Sequence, residues 1–276
     1  MVFTDAFRAM ARKELSDKLK SRWVYVIAVG FTVFTVVIAY FGATSAGVAG
    51  FRELNVTIAS LTSLAVYFIP ILALTLGGGV IADEHDRHTL DIYLSSPISV
   101  WEFLLGKFAG LCISLAIPTV TGFGLAGVVV LTMSKSASVL SYGIFVAHSL
   151  LLGFMFLSIS FLISVTFYER SKVIALAVFV WLFYAILYDL ALVGLLVVTK
   201  GELSPGLFSA LLLLNPVDVY RIMNFSAINE YSVLLGMAAV EFPKFFNTPV
   251  LWLVCFIWII APMALSYGLF KRRYLI

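Results

Sequence analysis

Charge is scarce in this 276-residue chain. Charged residues make up 12% of it and hydrophobic residues 62%, whereas soluble domains are about one quarter charged. The mean hydropathy is +1.07. The composition therefore excludes an ordinary soluble domain and predicts an integral membrane protein.

Cysteine is scarce as well, and the common catalytic motifs are absent. Cys112 and Cys255 lie inside apolar runs without metal or redox spacing, so we expect them to pack as small hydrophobic residues. There is no Gly-x-x-x-x-Gly-Lys-Ser/Thr phosphate loop, since Phe108 follows Gly106-Lys107. His-Glu-x-x-His and Gly-x-Ser-x-Gly are also missing. We predict a chain that does not hydrolyse ATP itself and that binds no metal or other cofactor.

The chain begins with a basic amphipathic segment, residues 1–22. Apolar residues recur at every fourth position, which is the spacing of one helix face. The apolar positions are Phe3, Phe7, Ala11, Leu15, Leu19 and Trp23, and the cations are Arg8, Arg12, Lys13, Lys18, Lys20 and Arg22. We expect an interfacial helix, with its apolar face among lipid tails and its cations near anionic headgroups.

Six apolar runs follow, each long enough to cross a bilayer as a helix. They lack the alternation of barrel strands, and hydrocarbon tolerates no unpaired backbone group, so helices are expected throughout. The spans are predicted near 23–41, 57–81, 104–131, 142–167, 173–198 and 250–270. Pro70, Pro118 and Pro262 lie inside spans and are expected to kink them. The predicted fold class is an all-α membrane protein.

The basic residues predict the orientation. Thirteen of the eighteen Lys and Arg residues lie in the N-terminal segment, around the second and fourth connections, or after the last span. By the positive-inside rule this side is cytoplasmic. Both termini are therefore predicted to be cytoplasmic, in a multi-pass protein of the bacterial inner membrane.

The stretch 199–249 is predicted to be an external subdomain within a membrane domain covering 23–276. Its apolar runs, 207–214 and 232–240, are too short to span. A seventh span would also place Lys271-Arg272-Arg273 outside, against the charge rule. We expect short helices that lie on the outer leaflet or dip into it.

A charged loop, about 83–102, interrupts the apolar runs between the second and third spans. The acids and histidines of 83–88 precede a short amphipathic piece, 89–97. This is more patterned sequence than a simple connection needs, so we expect it to receive mechanical work from a soluble partner. The alternative is a membrane-embedded metal-dependent hydrolase using Asp83–His88, since Glu84 and His88 would share a helix face and such side chains can hold zinc.

Asp189 is the one acid well inside a predicted span. Its burial costs about 2.5–3.5 kcal/mol at mid-bilayer and less in the outer third, where we expect it. With Tyr184 and Tyr188 it could form an intramembrane polar cluster at a subunit interface or cavity, or it could reach headgroup water. The methionines on the predicted external side could bind Cu(I) through their thioethers, but their spacing forms no motif and packing is the default. They are Met133, Met223 and Met237.

The charged loop resembles the signature of ABC-2-type permeases, Glu-x-x-x-Gly-Thr-Leu … Leu … Ser-Pro-Val-Ser … Gly-Lys. The matching residues are Glu84, Thr89, Leu90, Leu94, Ser96-Pro97-Ile98-Ser99 and Gly106-Lys107. Within that family the segment 214–224, LNPVDVYRIMN, is similar to the NosY branch. The sequence departs from the pattern at His88, where the family usually has glycine, and this leaves open the shape of the turn before the coupling helix.

The resemblance implies a cytoplasmic coupling helix that contacts a separate ABC ATPase. The residues that it implies for this contact are Glu84, Arg87, Thr89, Leu90, Asp91, Tyr93, Leu94, Ser96 and Pro97. It also implies that Asn215, Asp218 and Arg221 order the external segment or contact a periplasmic partner.

The partners implied by the resemblance are a second copy of this chain, a NosF-like ATPase that holds ATP and Mg, and a periplasmic NosD-like copper-handling protein. Nucleic acid is not expected. The implied function is that of a permease subunit coupling ATP hydrolysis to conformational change at the periplasmic side, for copper or sulfur delivery in nitrous oxide reductase maturation. An ABC-2 exporter of another substrate is a further alternative.

Overall fold

The computed structural model describes residues 3–20, 22–41, 54–86, 88–90, 93, 95, 98–133, 138–227 and 247–274. Within these ranges all regular elements are helices. They are α1 (Phe3–Leu19), α2 (Arg22–Phe41), α3 (Leu54–Gly78), α4 (Ala82–Asp86), α5 (Val100–Met133), α6 (Val139–Thr166), α7 (Arg170–Leu182), α8 (Tyr188–Val198), α9 (Pro205–Leu213), α10 (Pro216–Ala227) and α11 (Thr248–Tyr274). A π-helical segment, Phe183–Leu187, joins α7 to α8.

The predicted all-α membrane fold is confirmed. Five helical stretches, on α3, α5, α6, α7–α8 and α11, are long and apolar enough to cross a membrane. The 20 residues of α2 coincide with the first predicted span. The three span prolines, Pro70, Pro118 and Pro262, lie inside α3, α5 and α11.

The centre of the bundle is α6, the most buried of the five spanning stretches, whereas α7–α8 is the least buried. The helix α6 packs against α3, α5, α10 and α11. The close approach of α6 to α5 depends partly on Gly153, where a Cβ would lie 2.6 Å from Leu115 Cδ2. The helix α6 thus touches elements at both ends of the bundle, where the sites described below lie.

Two ends can be distinguished. The basic end holds α1, α4, the start of α5 and the last turn of α11, where Lys271, Arg272 and Arg273 complement the helix dipole. Arg273 Nη1 donates to Val165 O at 3.2 Å, and so caps the last turn of α6. The opposite end holds the starts of α3, α6 and α11 together with α9 and α10.

The short helices α9 and α10 meet at a bend of 109°. Ser204 caps α9 by accepting from Leu207 N–H at 3.3 Å, with Pro205 in the first turn. Trp258 Nε1 on α11 donates to Leu213 O at 3.2 Å, close to the tip of the pair. Most side chains of α10 are buried against α3, α6 and α11. Part of the predicted external segment is thus inserted among the spans, while its second apolar run, 232–240, lies outside the described residues.

Candidate functional site

At the basic end, a lysine of α5 lies between carboxylates from two other elements. Lys107 Nζ is 3.0 Å from Glu14 Oε2 on α1 and 2.9 Å from Glu84 Oε1 on α4. Lys107 is 2% exposed and Glu14 is 6% exposed. We call Glu14, Glu84 and Lys107 the charge clamp. Because buried charges are tolerated only when paired, the charge clamp holds α1, α4 and α5 in one arrangement.

Lys13 adds a second cation beside the charge clamp. Its Nζ is 3.2 Å from Glu84 Oε1, donates to the hydroxyl of Tyr93, and lies 4.7 Å from the centroid of that ring. Burial lowers the pKa of Lys13, but the hydrogen bond with Tyr93 and the charge of Glu84 outweigh it and raise the pKa above its ordinary value. Tyr93 belongs to the predicted coupling segment, which is thereby tied to α1.

Two glycines of α5 allow α1 to approach this closely. A Cβ at Gly110 would lie 2.7 Å from Ala11 O, and one at Gly106 would lie 2.7 Å from Met10 Cβ. Small residues four positions apart let helix backbones pack against each other. The buried side of α1 carries Met10 and Glu14, whereas its predicted apolar stripe is half-buried where described. The helix is therefore docked on α5 and still exposes part of that stripe.

The turn after α4 is closed by a residue in the left-handed region. His88 has a φ of 54°, its N–H donates to His85 O at 3.0 Å, and Thr89 N–H donates to Glu84 O at 3.0 Å. These bonds form a Schellman ending, whose left-handed position is usually glycine. His88 thus forms the turn for which the family pattern has glycine. Thr89 Oγ1 also donates to the Glu84 carboxylate, which helps to orient it toward Lys107.

The structure distributes the predicted coupling residues unequally. Glu84, Thr89 and Tyr93 are half-buried and contact the charge clamp or Lys13. Leu90 is 2% exposed and belongs to this chain's own core, so it is not a surface residue. The others lie outside the described residues; they are Arg87, Asp91, Leu94, Ser96 and Pro97.

The side chains of Asp83, Glu84 and His85 contact three different parts of the chain. Asp83 Oδ1 is 3.4 Å from Arg170 Nη1, Glu84 belongs to the charge clamp, and the His85 ring lies 4.7 Å from that of Tyr168. Among the residues that the structure describes, no three His, Cys, Asp or Glu side chains are grouped as metal ligands. This arrangement does not favour the alternative of a metal-dependent hydrolase.

A second, partly buried ion cluster lies toward the opposite end, between α8 and α10. Arg221 Nη1 is 2.5 Å from Asp189 Oδ2 and 3.1 Å from Asp218 Oδ1. The Asp189 side chain is 29% exposed, and that of Asp218 is 7% exposed. Tyr188, predicted beside Asp189, donates its hydroxyl to Leu211 O at 2.7 Å. Asp189 thus has a basic partner within the chain, 32 positions away.

Asn215, at the tip of the α9–α10 pair, orders α10 from within. Its Oδ1 accepts from Val217 N–H at 3.0 Å, and its Nδ2 donates to Asp218 Oδ2 at 2.9 Å and to Tyr184 O at 3.2 Å. Tyr184 lies in the π-helical segment, a local irregularity that is frequent at functional sites. Asn215 is 0% and Asp218 5% exposed, so these two side chains contact this chain and not its surroundings.

On its other side, α10 is held by α6. Tyr220 Oη and Ser149 Oγ are hydrogen-bonded at 3.0 Å, and His148 Nδ1 is 3.2 Å from Asn224 Oδ1. His148, the histidine within a predicted span, is therefore engaged in a hydrogen bond between helices.

Among the three methionines considered for Cu(I), Met223 lies inside the bundle. Its Sδ is 3.4 Å from Cys255 Sγ, and both residues are buried. Packing accounts for this position. Met237 and the side chain of Met133 lie outside the described residues.

Sequence reasoning placed Lys107 in the family signature, but it did not identify Lys107, Glu14 or Lys13 as members of an ion cluster. Glu14 is an acid within a basic segment, and Lys107 follows a glycine at the start of a span. Those features and the signature match were the available signals. None of them indicates the partner, because Glu14 and Lys107 are separated by 93 positions.

Comparison with known proteins agrees with this architecture. The family model of ABC-2 family transporter proteins matches residues 8–275. The chain is 40% identical to the probable ABC transporter permease protein NosY of Pseudomonas aeruginosa over 268 residues, 96% of this chain and 97% of the relative. It is 37% identical over the same shares to the protein of the same name from Stutzerimonas stutzeri. The chain therefore belongs to the ABC-2 transporter family and is a NosY-like permease.

Proposed function

We propose that this chain couples ATP hydrolysis by a separate ABC ATPase subunit to a conformational change at the opposite side of the membrane. The observation that supports this most is the charge clamp, which joins α4 to α1 and α5. A push on α4 would move Glu84, and with it the charged partners on two further helices. The clamp is suited to distributing a force that arrives at one short helix.

The proposed orientation places the basic end in the cytoplasm of a bacterium, with both termini there and the spans in the inner membrane. The ATPase, which holds ATP and Mg, would dock at this end against α4 and the segment 89–97. A cavity of about 450 Å³ opens there between α1, α4 and α5, and both acids and lysines line it. Two copies of this chain would form the membrane part of the complex, as the family resemblance implies.

The proposed output is the α9–α10 pair at the periplasmic side. Its ion cluster and its contacts with α6 make it responsive to movements of the spans. A periplasmic copper-handling protein would read that movement, in a complex that serves copper or sulfur delivery in nitrous oxide reductase maturation. The likeness of 214–224 to the NosY branch supports this part of the proposal.

The coupling can be tested in the purified complex with the cognate ATPase in lipid nanodiscs. Glu84→Lys would place a cation beside Lys107 and Lys13, so we expect a loss of assembly or a fall of about tenfold or more in coupled ATPase activity. Glu169→Lys is the matched control, because Glu169 is 59% exposed at the same end. Glu84→Gln, which keeps the shape and removes the charge, separates coupling from misfolding. Assembly and activity equal to wild type in both Glu84 variants would overturn the proposal.

The role in maturation needs a separate measurement in cells. A strain lacking this chain is expected to produce nitrous oxide reductase protein that is deficient in copper and inactive, while the other copper enzymes of that strain stay loaded. Restoration by wild-type chain and failure of restoration by Glu84→Lys would connect the two parts. A fully loaded reductase in the deletion strain would contradict the proposed role.

A further inference from the structure

The joint between α3 and α4 contains three consecutive glycines: Gly77 and Gly78 end α3, and Gly79 begins the turn that leads to α4. A Cβ at Gly77 would lie 2.9 Å from Ser160 Oγ, and one at Gly78 would lie 3.3 Å from Val173 Cγ1. The joint therefore fits closely against α6 and α7. Glycine also lacks the side chain that restricts backbone torsions, so this joint depends on its neighbours for its shape.

Two serines of α6 supply the hydrogen bonds that fix this joint. Ser160 Oγ donates to Leu74 O at 2.8 Å, in the last turns of α3. Ser164 Oγ accepts from Ile81 N–H at 2.9 Å and from Ala82 N–H at 3.3 Å, at the start of α4. Backbone N–H groups at a helix start have no partner within the helix, and both Ile81 and Ala82 are 0% exposed. One serine thus secures the end of α3, and the other the beginning of α4.

The same helix holds α10 at its other end, through Ser149 and His148. From Ser164 to Ser149 is roughly 22 Å along the axis at 1.5 Å per residue. No proline interrupts this part of α6, and no residue from Ser149 to Ser164 is exposed. A rigid element therefore connects the α3–α4 joint directly to α10.

We propose that Ser160 and Ser164 are positioning residues that fasten the α3–α4 joint to α6, so that a displacement of α4 reaches α10 through this helix. The inference rests on the proposed function, which supplies the force on α4, and it assigns the path that the force takes. If the two serines keep their bonds while α4 moves, α6 is displaced with the joint. Tyr220 and Asn224 then follow, because α6 holds both.

A parallel route through α7 is weaker. Asp83 Oδ1 and Arg170 Nη1 are 3.4 Å apart, but the Arg170 side chain is 58% exposed. Exposed ion pairs are screened by water and contribute little. The buried serine bonds therefore attach the α3–α4 joint to α6 more firmly than this exposed ion pair attaches α4 to α7.

The test compares hydrogen–deuterium exchange in α4 and α10 of the complete ATPase complex, with and without a non-hydrolysable ATP analogue. In wild type we expect nucleotide to change exchange in both helices. In the double variant Ser160→Ala with Ser164→Ala we expect the change in α4 to persist and that in α10 to fall about threefold or more. The single variant Ser164→Thr, which retains the hydroxyl, is expected to keep the α10 response of wild type.

Ser158→Ala is the matched control, because Ser158 lies on the same helix, is 0% exposed, and donates to Ile259 O of α11 at 2.6 Å. In Ser158→Ala, nucleotide is expected to change exchange in α10 as much as it does in wild type. The proposal is overturned if nucleotide changes exchange in α10 of the double variant as much as in wild type. It is also overturned if Ser158→Ala loses the α10 response as fully as the double variant does. Absence of a nucleotide response in α4 of wild type would instead overturn the proposed function itself.

Discussion

Replacing Lys107 by methionine removes the central charge of the clamp while keeping much of the side chain's length. Without Lys107, Glu14 retains Lys18 at 3.7 Å and Glu84 retains Lys13 at 3.2 Å. Removing one partner of a buried ion pair costs about 3–5 kcal/mol, and since each carboxylate keeps one cation we expect the lower value. The lost stability should therefore be large for a single substitution.

Thermal unfolding of the purified chain in detergent, followed by tryptophan fluorescence, measures this cost. A loss of about 3 kcal/mol corresponds to a fall in Tm of about 5 °C for a chain of this size. The matched control is Lys172→Met at the same end of the bundle. Lys172 and Glu169 are 2.7 Å apart, but their side chains are 60% and 59% exposed, so we expect a change of less than about 0.5 kcal/mol.

A second substitution separates lost charge pairing from lost packing. Glu14→Gln in the Lys107→Met background removes the buried carboxylate that has lost its nearer cation, and we expect it to recover about half of the lost stability. Equal Tm shifts for Lys107→Met and Lys172→Met would refute the reasoning, since they would mean that burial of the charge clamp has no energetic consequence.

Other substitutions test the packing of α1 against α5, the cap of α10 and the turn after α4. Gly110→Val should force α1 away from α5, lower the free energy of unfolding by about 2 kcal/mol and increase proteolysis within α1. Gly124→Val should have none of these effects, because a Cβ at Gly124 would have no other atom within 4 Å. Asn215→Ala should lower the free energy of unfolding by about 2 kcal/mol and speed hydrogen exchange in α10. Asn247 is an exposed cap of α11, so Asn247→Ala should lower the free energy of unfolding by about half as much. His88→Gly should raise stability by about 0.5–1 kcal/mol, because φ is positive there; a lower Tm would contradict this.

The spans could be predicted because length and apolarity leave a chain in hydrocarbon one structure that satisfies its backbone. Thus 142–167 was predicted and Val139–Thr166 is helical, and 250–270 lies within Thr248–Tyr274. Short helices were predicted for 199–249, but this reasoning did not predict that α10 lies buried among the spans. It carries Asn215, Asp218 and Arg221 at or near its start and so does not form an apolar run, yet those side chains satisfy one another and Asp189 inside the bundle.

The contacts at the candidate sites could not be predicted for a related reason. An apolar pattern indicates which residues avoid water but not which helix faces meet, since lipid tails are as apolar as leucine. The docking of α1 depends on Gly106 and Gly110, and its register depends on the pairing of Glu14 with Lys107. Each of these requires knowing that two distant segments are neighbours.

The two ion clusters have the same composition, one base between acids on separate elements or turns. Lys107 joins Glu14 and Glu84 at the basic end, and Arg221 joins Asp189 and Asp218 toward the other. A buried ion pair is weak support for stability, because desolvation opposes the Coulombic gain, but it strongly disfavours arrangements that separate the partners. In a bundle whose apolar faces can slide past one another or exchange with lipid, such clusters determine how helices are rotated and matched. Elements held in this way move together or lose a charged partner, and this property is what a subunit needs if it transmits force between its two ends.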